Sequence, residues 1–236
     1  IQAVEVVARG AGLHPRAGDL SYPSFRREGC TQCKRCTEEC PFGAINEDDK
    51  GNPLFNPTRC RRCGTCMGAC PQKIISFANY SVDMIGAMLK EVEVPCADDE
   101  KPRILVFACV NDAIPALDMV GQNDDRLSPY IRVSPLRCMG SMNLVWIADA
   151  MASGFDGVLL MGCRHGDDYQ CHNVRGSALA ENRLSKVSET LDRLQLESDR
   201  VKMVEINIMD ADQLPKIIND FAEKIGSMDP NPYKEF

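Results

Sequence analysis

From residue 103 onward the chain alternates short apolar runs with segments in which apolar side chains recur every three or four positions. RILVFAC, YIRVSPLRC, DGVLLMGC and VKMVEIN read as strands. Leu144, Ile147, Ala148 and Met151 share one helical face before Gly154, and Leu184, Val187, Leu191 and Leu194 share a second. Leu214, Ile217, Ile218, Phe221 and Ile225 share a third, with Pro215 tolerable in its first turn. A shorter helix is expected in IPALDMVG. Four such alternations predict an α/β domain over residues 103–228, built on a mostly parallel four-stranded sheet covered on both faces.

Upstream the pattern is less regular. IQAVEVVARGAGL reads as the end of a helix closed by Gly10 and Gly12, so residues 1–22 are expected to be the tail of an upstream domain. Its G-x-G does not grow into a dinucleotide fingerprint, because position 15 is Pro and no strand precedes it. SVDMIGAMLKEV has helical period, and the segment 96–102 is the expected linker, with Pro95 and Pro102 at its ends and charges from Asp98 to Lys101. DPNPYKEF, residues 229–236, is expected to be a loose tail or a docking strand for a neighbour. The chain opens at Ile1 with no signal-peptide pattern, which suggests the carboxyl-terminal piece of something longer.

Composition narrows the class. Of 236 residues, 44% are hydrophobic, ordinary for a globular chain, and no apolar run approaches the eighteen or so residues of a membrane helix. Any membrane link is therefore expected through a partner. Thirteen cysteines cannot all pair, and their C-x2-C clustering points to metal binding in a reducing, cytoplasmic setting rather than to a secreted disulfide framework. The net charge is −7, yet residues 21–80 carry nine Lys or Arg against six Asp or Glu. The basic region thus coincides with the cysteines, which argues against a nucleic-acid partner.

The chemistry is written in CTQCKRCTEECP, residues 30–41, repeated as CRRCGTCMGACP, residues 60–71. C-x2-C-x2-C-x3-C-P, twice, is the two-cluster ferredoxin pattern, in which the fourth cysteine of each run serves the other cluster. On that rule Cys30, Cys33, Cys36 and Cys70 hold one [4Fe-4S] cluster, and Cys60, Cys63, Cys66 and Cys40 hold the second. Residues 23–95 are accordingly expected to form an α+β ferredoxin-like domain. Structural zinc is the alternative, but it needs only four ligands in separated pairs. Lys34, Arg35, Arg59, Arg61 and Arg62 lie among the ligands, either as a solvated face or to offset cluster charge and dock an acidic partner.

Cys109, Cys138 and Cys163 each end a predicted strand, and Cys171 follows the third in GCRHGDDYQCHN. Strand ends of an open parallel sheet face one crevice, so the four suit a [2Fe-2S] cluster. Small buried apolar residues are the plain alternative. His165 and His172 raise a zinc or Rieske-type site, which the α/β pattern fits poorly, and Cys96 is expected to be a bystander. No acid–base or nucleophile–base pair stands out.

With these motifs in this order, the first half resembles the ferredoxin region of proteins like the heterodisulfide reductase A subunit. The second is similar to the delta subunit of methyl-viologen-reducing hydrogenase. Fused, they look like the carboxyl-terminal part of the B-subunit family of quinone-interacting membrane-bound oxidoreductase. The delta-subunit resemblance implies a [2Fe-2S] cluster held by a C-x2-C after the first strand and a G-C-x-x-G-D-C after the third. Cys109, Cys138 and Cys163 match, whereas Asp112 and Asp168 stand where two cysteines are expected and Cys171 lies three residues beyond the latter. The resemblance also implies an upstream domain with FAD, a quinone-linked membrane partner, and adenylylsulfate reductase as partner in sulfate reduction. The expectation is an electron-transfer module, with two alternatives: a hydrogenase-linked adaptor of a heterodisulfide reductase complex, or a ferredoxin carrying a clusterless docking domain.

Overall fold

The computed structural model describes residues 21–92, 102–123, 126–166 and 171–235. The helix expected at the start of the chain, nearly all of the 96–102 segment, Cys96 and Asp168 lie outside them.

The doubled cysteine region folds as two copies of a small unit. β1 (Ser24–Phe25) is followed by α1 (Arg35–Glu38), the hairpin β2 (Ile45–Glu47) and β3 (Pro53–Phe55), α2 (Thr65–Ala69) and β4 (Ile75–Ser76). β2 and β3 pair antiparallel with Asn46 opposite Leu54, and β1 closes on β4 with Ser24 opposite Ser76. The thirty-residue repeat extends to the backbone. Gln32 and Arg62, Lys34 and Gly64, and Gly43 and Lys73 all adopt left-handed φ. α3 (Val82–Lys90) then begins at Ser81, whose side chain accepts from Met84 N at 3.1 Å as an N-cap.

The second half holds β5 (Ile104–Cys109), α4 (Ala113–Gln122), β6 (Ile131–Leu136), α5 (Leu144–Ala152) and β7 (Gly157–Cys163). It continues with α6 (Gly176–Leu184), α7 (Val187–Arg193), β8 (Val201–Ile206) and α8 (Leu214–Gly226). All four strands are parallel, in the order β6-β5-β7-β8. Every residue of β5 and β7 is buried, as central strands covered on both faces require. β6 and β8 are edges, and Pro135, with no N–H to donate, is tolerated in β6 for that reason. The architecture is a small ferredoxin-like region followed by an α/β domain with a four-stranded parallel sheet.

Two expectations need correction. The face shared by Leu184, Val187, Leu191 and Leu194 belongs to two helices, since the chain turns at Ser185 and Lys186 between α6 and α7. A three-residue step keeps Leu184 and Val187 on one side whether or not the helix is continuous, so periodicity does not register the turn. Residues 229–235 are not loose. Asn231 is buried, its side chain donates to the carbonyls of Met151 and Phe155, and its backbone N donates to Asp156 Oδ1 at 2.9 Å. Lys234 Nζ lies 2.7 Å from Asp156 Oδ2, so this buried carboxylate ties the last turn to its own domain.

The halves share one core. α3 packs on α5, and the fully buried Trp146 donates from Nε1 to the Val82 carbonyl at 2.8 Å while stacking near Phe107. Deleting such a side chain costs about 3–5 kcal/mol.

Candidate metal centres

In each copy of the cysteine unit, left-handed residues fold the C-x2-C loop back so that a backbone N–H meets sulfur. Gln32 N donates to Cys30 Sγ at 3.4 Å, and Arg62 N to Cys60 Sγ at 3.3 Å. Such bonds favour the thiolate. Cys30, Cys33, Cys36 and Cys70 line one cavity, closed by apolar Pro53, Pro71, Ile74 and Ile75. Cys40, Cys60, Cys63 and Cys66 line another, with Phe42, Phe55 and Phe77.

The thiols wall two cavities, four to each, as a multi-iron cluster with one thiolate per iron needs. The donor set fits such a cluster, whereas structural zinc takes four ligands in separated pairs. Burial pushes the Cys36, Cys60, Cys63 and Cys66 thiols above their ordinary range, so loading metal must displace protons there.

The two cavities differ in exposure. Each has one buried thiol, Cys70 in the first and Cys66 in the second, but Cys33 of the first is exposed whereas Cys40, Cys60 and Cys63 of the second are all half-buried.

The structure brings the other four cysteines together. Cys109 and Cys163 end the adjacent strands β5 and β7, where strand order reverses, and their sulfurs lie 3.4 Å apart. Cys138 follows β6, and Cys171 reaches the same point from the loop after β7. All four are buried. A Cβ at Gly176 would collide with the Cys138 sulfur and sit 3.0 Å from that of Cys171, so α6 begins there only because its first residue has no side chain.

Donors and acceptors alternate around the quartet. Cys138 donates to Cys171, and Cys163 shares its single proton between Cys171 and Cys109, so the Cys171 thiol is drawn well below the usual range and that of Cys109 is lowered. The two donors are correspondingly pushed up. Backbone N–H groups reach the sulfurs as well: Asn111 and Asp112 to Cys109, Gly140 to Cys138 at 3.3 Å, and Asn173 and Ser177 to Cys171. Four convergent thiols ringed by N–H donors fit a [2Fe-2S] group.

Asp112 is buried at the edge of this ring, touching the Cys163 thiol, with Oδ1 3.8 Å from His172 Nε2. His165 points elsewhere, its Nδ1 2.5 Å from Glu205 Oε1. Both histidines are loop residues.

Sequence reasoning did not find the residues that join the centres. Arg137, beside Cys138, stacks over the rings of Tyr80 at 4.5 Å and Phe77 at 4.8 Å. Tyr80 Oη meets Ser141 Oγ. Arg183 donates to the carbonyls of Gly140 and Met142 and pairs with Glu39. Their partners lie 41 to 144 positions away in sequence, so no local signal marks them. Among the described residues no helix is long and apolar enough to cross a membrane.

Comparison with known proteins follows the same division. The pattern of the family described as "Methyl-viologen-reducing hydrogenase, delta subunit" matches residues 104–229, and that of the "4Fe-4S dicluster domain" matches residues 29–75. The A subunit of the ferredoxin/F(420)H(2)-dependent CoB-CoM heterodisulfide reductase of Methanosarcina acetivorans is 27% identical over 201 residues, covering 85% of this chain and 25% of that protein. The iron-sulfur D subunit of the vhu F420-non-reducing hydrogenase of Methanocaldococcus jannaschii is 26% identical over 133 residues, covering 56% of this chain and 97% of that protein. Its vhc counterpart in Methanococcus voltae is 30% identical over 139 residues, covering 59% and 94%. The chain thus spans about a quarter of the length of the heterodisulfide reductase proteins it matches.

Proposed function

The chain belongs to the methyl-viologen-reducing hydrogenase delta-subunit family through residues 104–229, and from that premise we propose a three-station electron relay within a hydrogenase- and heterodisulfide reductase-type complex. It is an iron–sulfur electron-transfer protein with a 4Fe-4S dicluster region. In this reading Cys30, Cys33, Cys36 and Cys70 hold one [4Fe-4S] cluster, Cys60, Cys63, Cys66 and Cys40 the second, and Cys109, Cys138, Cys163 and Cys171 a [2Fe-2S] cluster. Iron–sulfur clusters supply single-electron storage at potentials set by charge, hydrogen bonds to sulfur and exposure.

The observation that carries the reading is the convergence of the four buried thiols at the end of a core shared with the dicluster region. The chain's own residues fix the sulfurs with backbone N–H groups, exclude water by burial, and hold the two halves in one geometry. Asp112 and His172 occupy the ring's edge without replacing a thiol, so Cys171 completes the set that the family's usual spacing lacks here.

The relatives are named for heterodisulfide reductase and hydrogenase. That favours the adaptor reading over the quinone- and adenylylsulfate-reductase-linked one expected first from sequence. Flavin, on this reading, belongs to parts of the complex outside these 236 residues.

The test is iron and acid-labile sulfide per chain after anaerobic purification. About ten of each supports three clusters, and about eight would leave the quartet without one. Isolation of the native complex tests the partners. A nickel–iron hydrogenase is expected with it, and a membrane quinone-binding protein in its place would return the reading to the first expectation.

A further inference from the structure

We propose that the contact between Thr65 and Gly140 is the electron-transfer bridge of this relay, and that it joins the cysteine quartet to the second dicluster site and not to the first. The inference rests on the three-cluster reading above.

Thr65 lies between Cys63 and Cys66, almost fully buried, with Oγ1 3.3 Å from Cys63 Sγ. A metal-bound sulfur has no proton, so the hydroxyl is the donor in the loaded protein. On its other side the hydroxyl meets Gly140. A Cβ at that glycine would stand 2.8 Å from Thr65 Oγ1 and 3.1 Å from the Gly176 backbone, so nothing larger than hydrogen fits between. Gly140 N in turn donates to Cys138 Sγ at 3.3 Å. Two sulfurs in different halves of the chain are therefore linked by two hydrogen bonds and one van der Waals contact, with no water-sized gap.

Among the described residues the corresponding positions of the first cysteine run make no such link. The thirty-residue repeat places Lys34 and Arg35 where the second run has Gly64 and Thr65, and both charged residues are exposed. At the second run the small pair lets the turn Met139–Ser141 pack directly on α2. A Cβ at Gly68, one turn further along that helix, would meet the Ser141 carbonyl at 2.6 Å. A buried threonine needs a hydrogen-bond partner in any case, and Cys63 alone would satisfy it. The side-chain-free approach of Gly140 to the same hydroxyl is what a purely local role leaves unexplained.

The step is a single-electron exchange. One side is oxidised by one electron as the other is reduced by one, with no bond made or broken and no proton moved. Thr65 is a positioning residue here, acting on Cys63.

The experiment uses the full chain with its clusters, comparing Thr65→Val, Thr65→Ser and Gly140→Ala with wild type. Potentials are read by redox titration with EPR, and equilibration is followed after flash photoreduction. Thr65→Val removes the donor to Cys63 at nearly constant volume. It is expected to lower one [4Fe-4S] potential so that electron sharing with the other shifts about tenfold, ~59 mV for one electron. It should also slow equilibration with the [2Fe-2S] signal by about tenfold, with Thr65→Ser restoring both. Gly140→Ala, which wedges the contact apart, should slow equilibration and leave the [4Fe-4S] potentials in place. About ten iron per chain with unchanged rates in both Thr65→Val and Gly140→Ala would overturn the bridge alone. About eight iron in wild type would overturn the three-cluster reading and the bridge with it.

Discussion

Tyr80 Oη lies 2.6 Å from Ser141 Oγ, a bond that crosses inside the protein from the dicluster region to the α/β domain. Ser141 Oγ donates onward to the Cys138 carbonyl at 2.7 Å, so Tyr80 is the donor to Ser141 and must keep its proton for the link to persist. Burial pushes its ionisation well above the ordinary tyrosine range.

An alkaline limit to stability follows. The folded-state pKa is raised above the unfolded value of about 10, so the contribution is fully present below about pH 10 and is lost as pH rises toward the folded value. Tyr80→Phe should remove that dependence and cost about 1 kcal/mol at neutral pH. Denaturant titrations at about pH 8 and above about pH 10 check it, and parallel alkaline losses in both proteins would rule the assignment out.

Cys171→Ser should delete one cluster selectively. Iron is expected to fall from about ten to about eight per chain, with [4Fe-4S] spectra retained. Gly176→Ala should do the same without touching a ligand, because its methyl would occupy the space of the Cys138 sulfur. Loss of [4Fe-4S] signals in both variants would mean that the centres do not assemble independently.

Arg137 brings a cation to the second dicluster site from the other half of the chain. Its Nη1 is buried with no hydrogen-bond partner among the described residues, and its guanidinium stacks on Tyr80 and Phe77. Arg137→Leu should lower the potential of that cluster, since positive charge favours the reduced form, and should weaken the joint by about 1–2 kcal/mol. Lysine is not expected to rescue it, lacking the planar face that stacks. Redox titration decides, and a raised potential would contradict the assignment.

Arg183 ties Glu39 to the Gly140 and Met142 carbonyls across the same joint, largely out of solvent. Arg183→Met should leave these acceptors unpaired and cost about 2–3 kcal/mol, separating one calorimetric unfolding transition into two. A single transition at unchanged temperature would show that the shared core alone couples the halves.

Much of this was legible in sequence, for identifiable reasons. Strand period located Cys109, Cys138 and Cys163 at strand ends, and a parallel sheet sends such ends to one side. The repeat from Cys30 to Cys70 needed only counting. The place of Cys171 depended on a loop conformation, which no periodicity encodes. Thr65, Tyr80, Arg137 and Arg183 were invisible because each matters through a partner far away in the chain. The buried Asp156 that holds the last residues was likewise hidden, since its acceptors are filled from positions 103, 231 and 234.

The uneven exposure of the cysteines sets an order of vulnerability. Dioxygen or a small oxidant arriving from solvent meets the exposed Cys33 of the first site first, the second site offers only half-buried Cys40, Cys60 and Cys63, and all four cysteines of the quartet are buried. Thiolate oxidation follows access. In air, the outer [4Fe-4S] signal should therefore bleach before the [2Fe-2S] signal, and the reverse order would mean that solvent reaches the quartet by another path. Damage that begins at the outer end would cut the inner stations off from a surface partner while leaving them intact, and repair would then require rebuilding only one cluster.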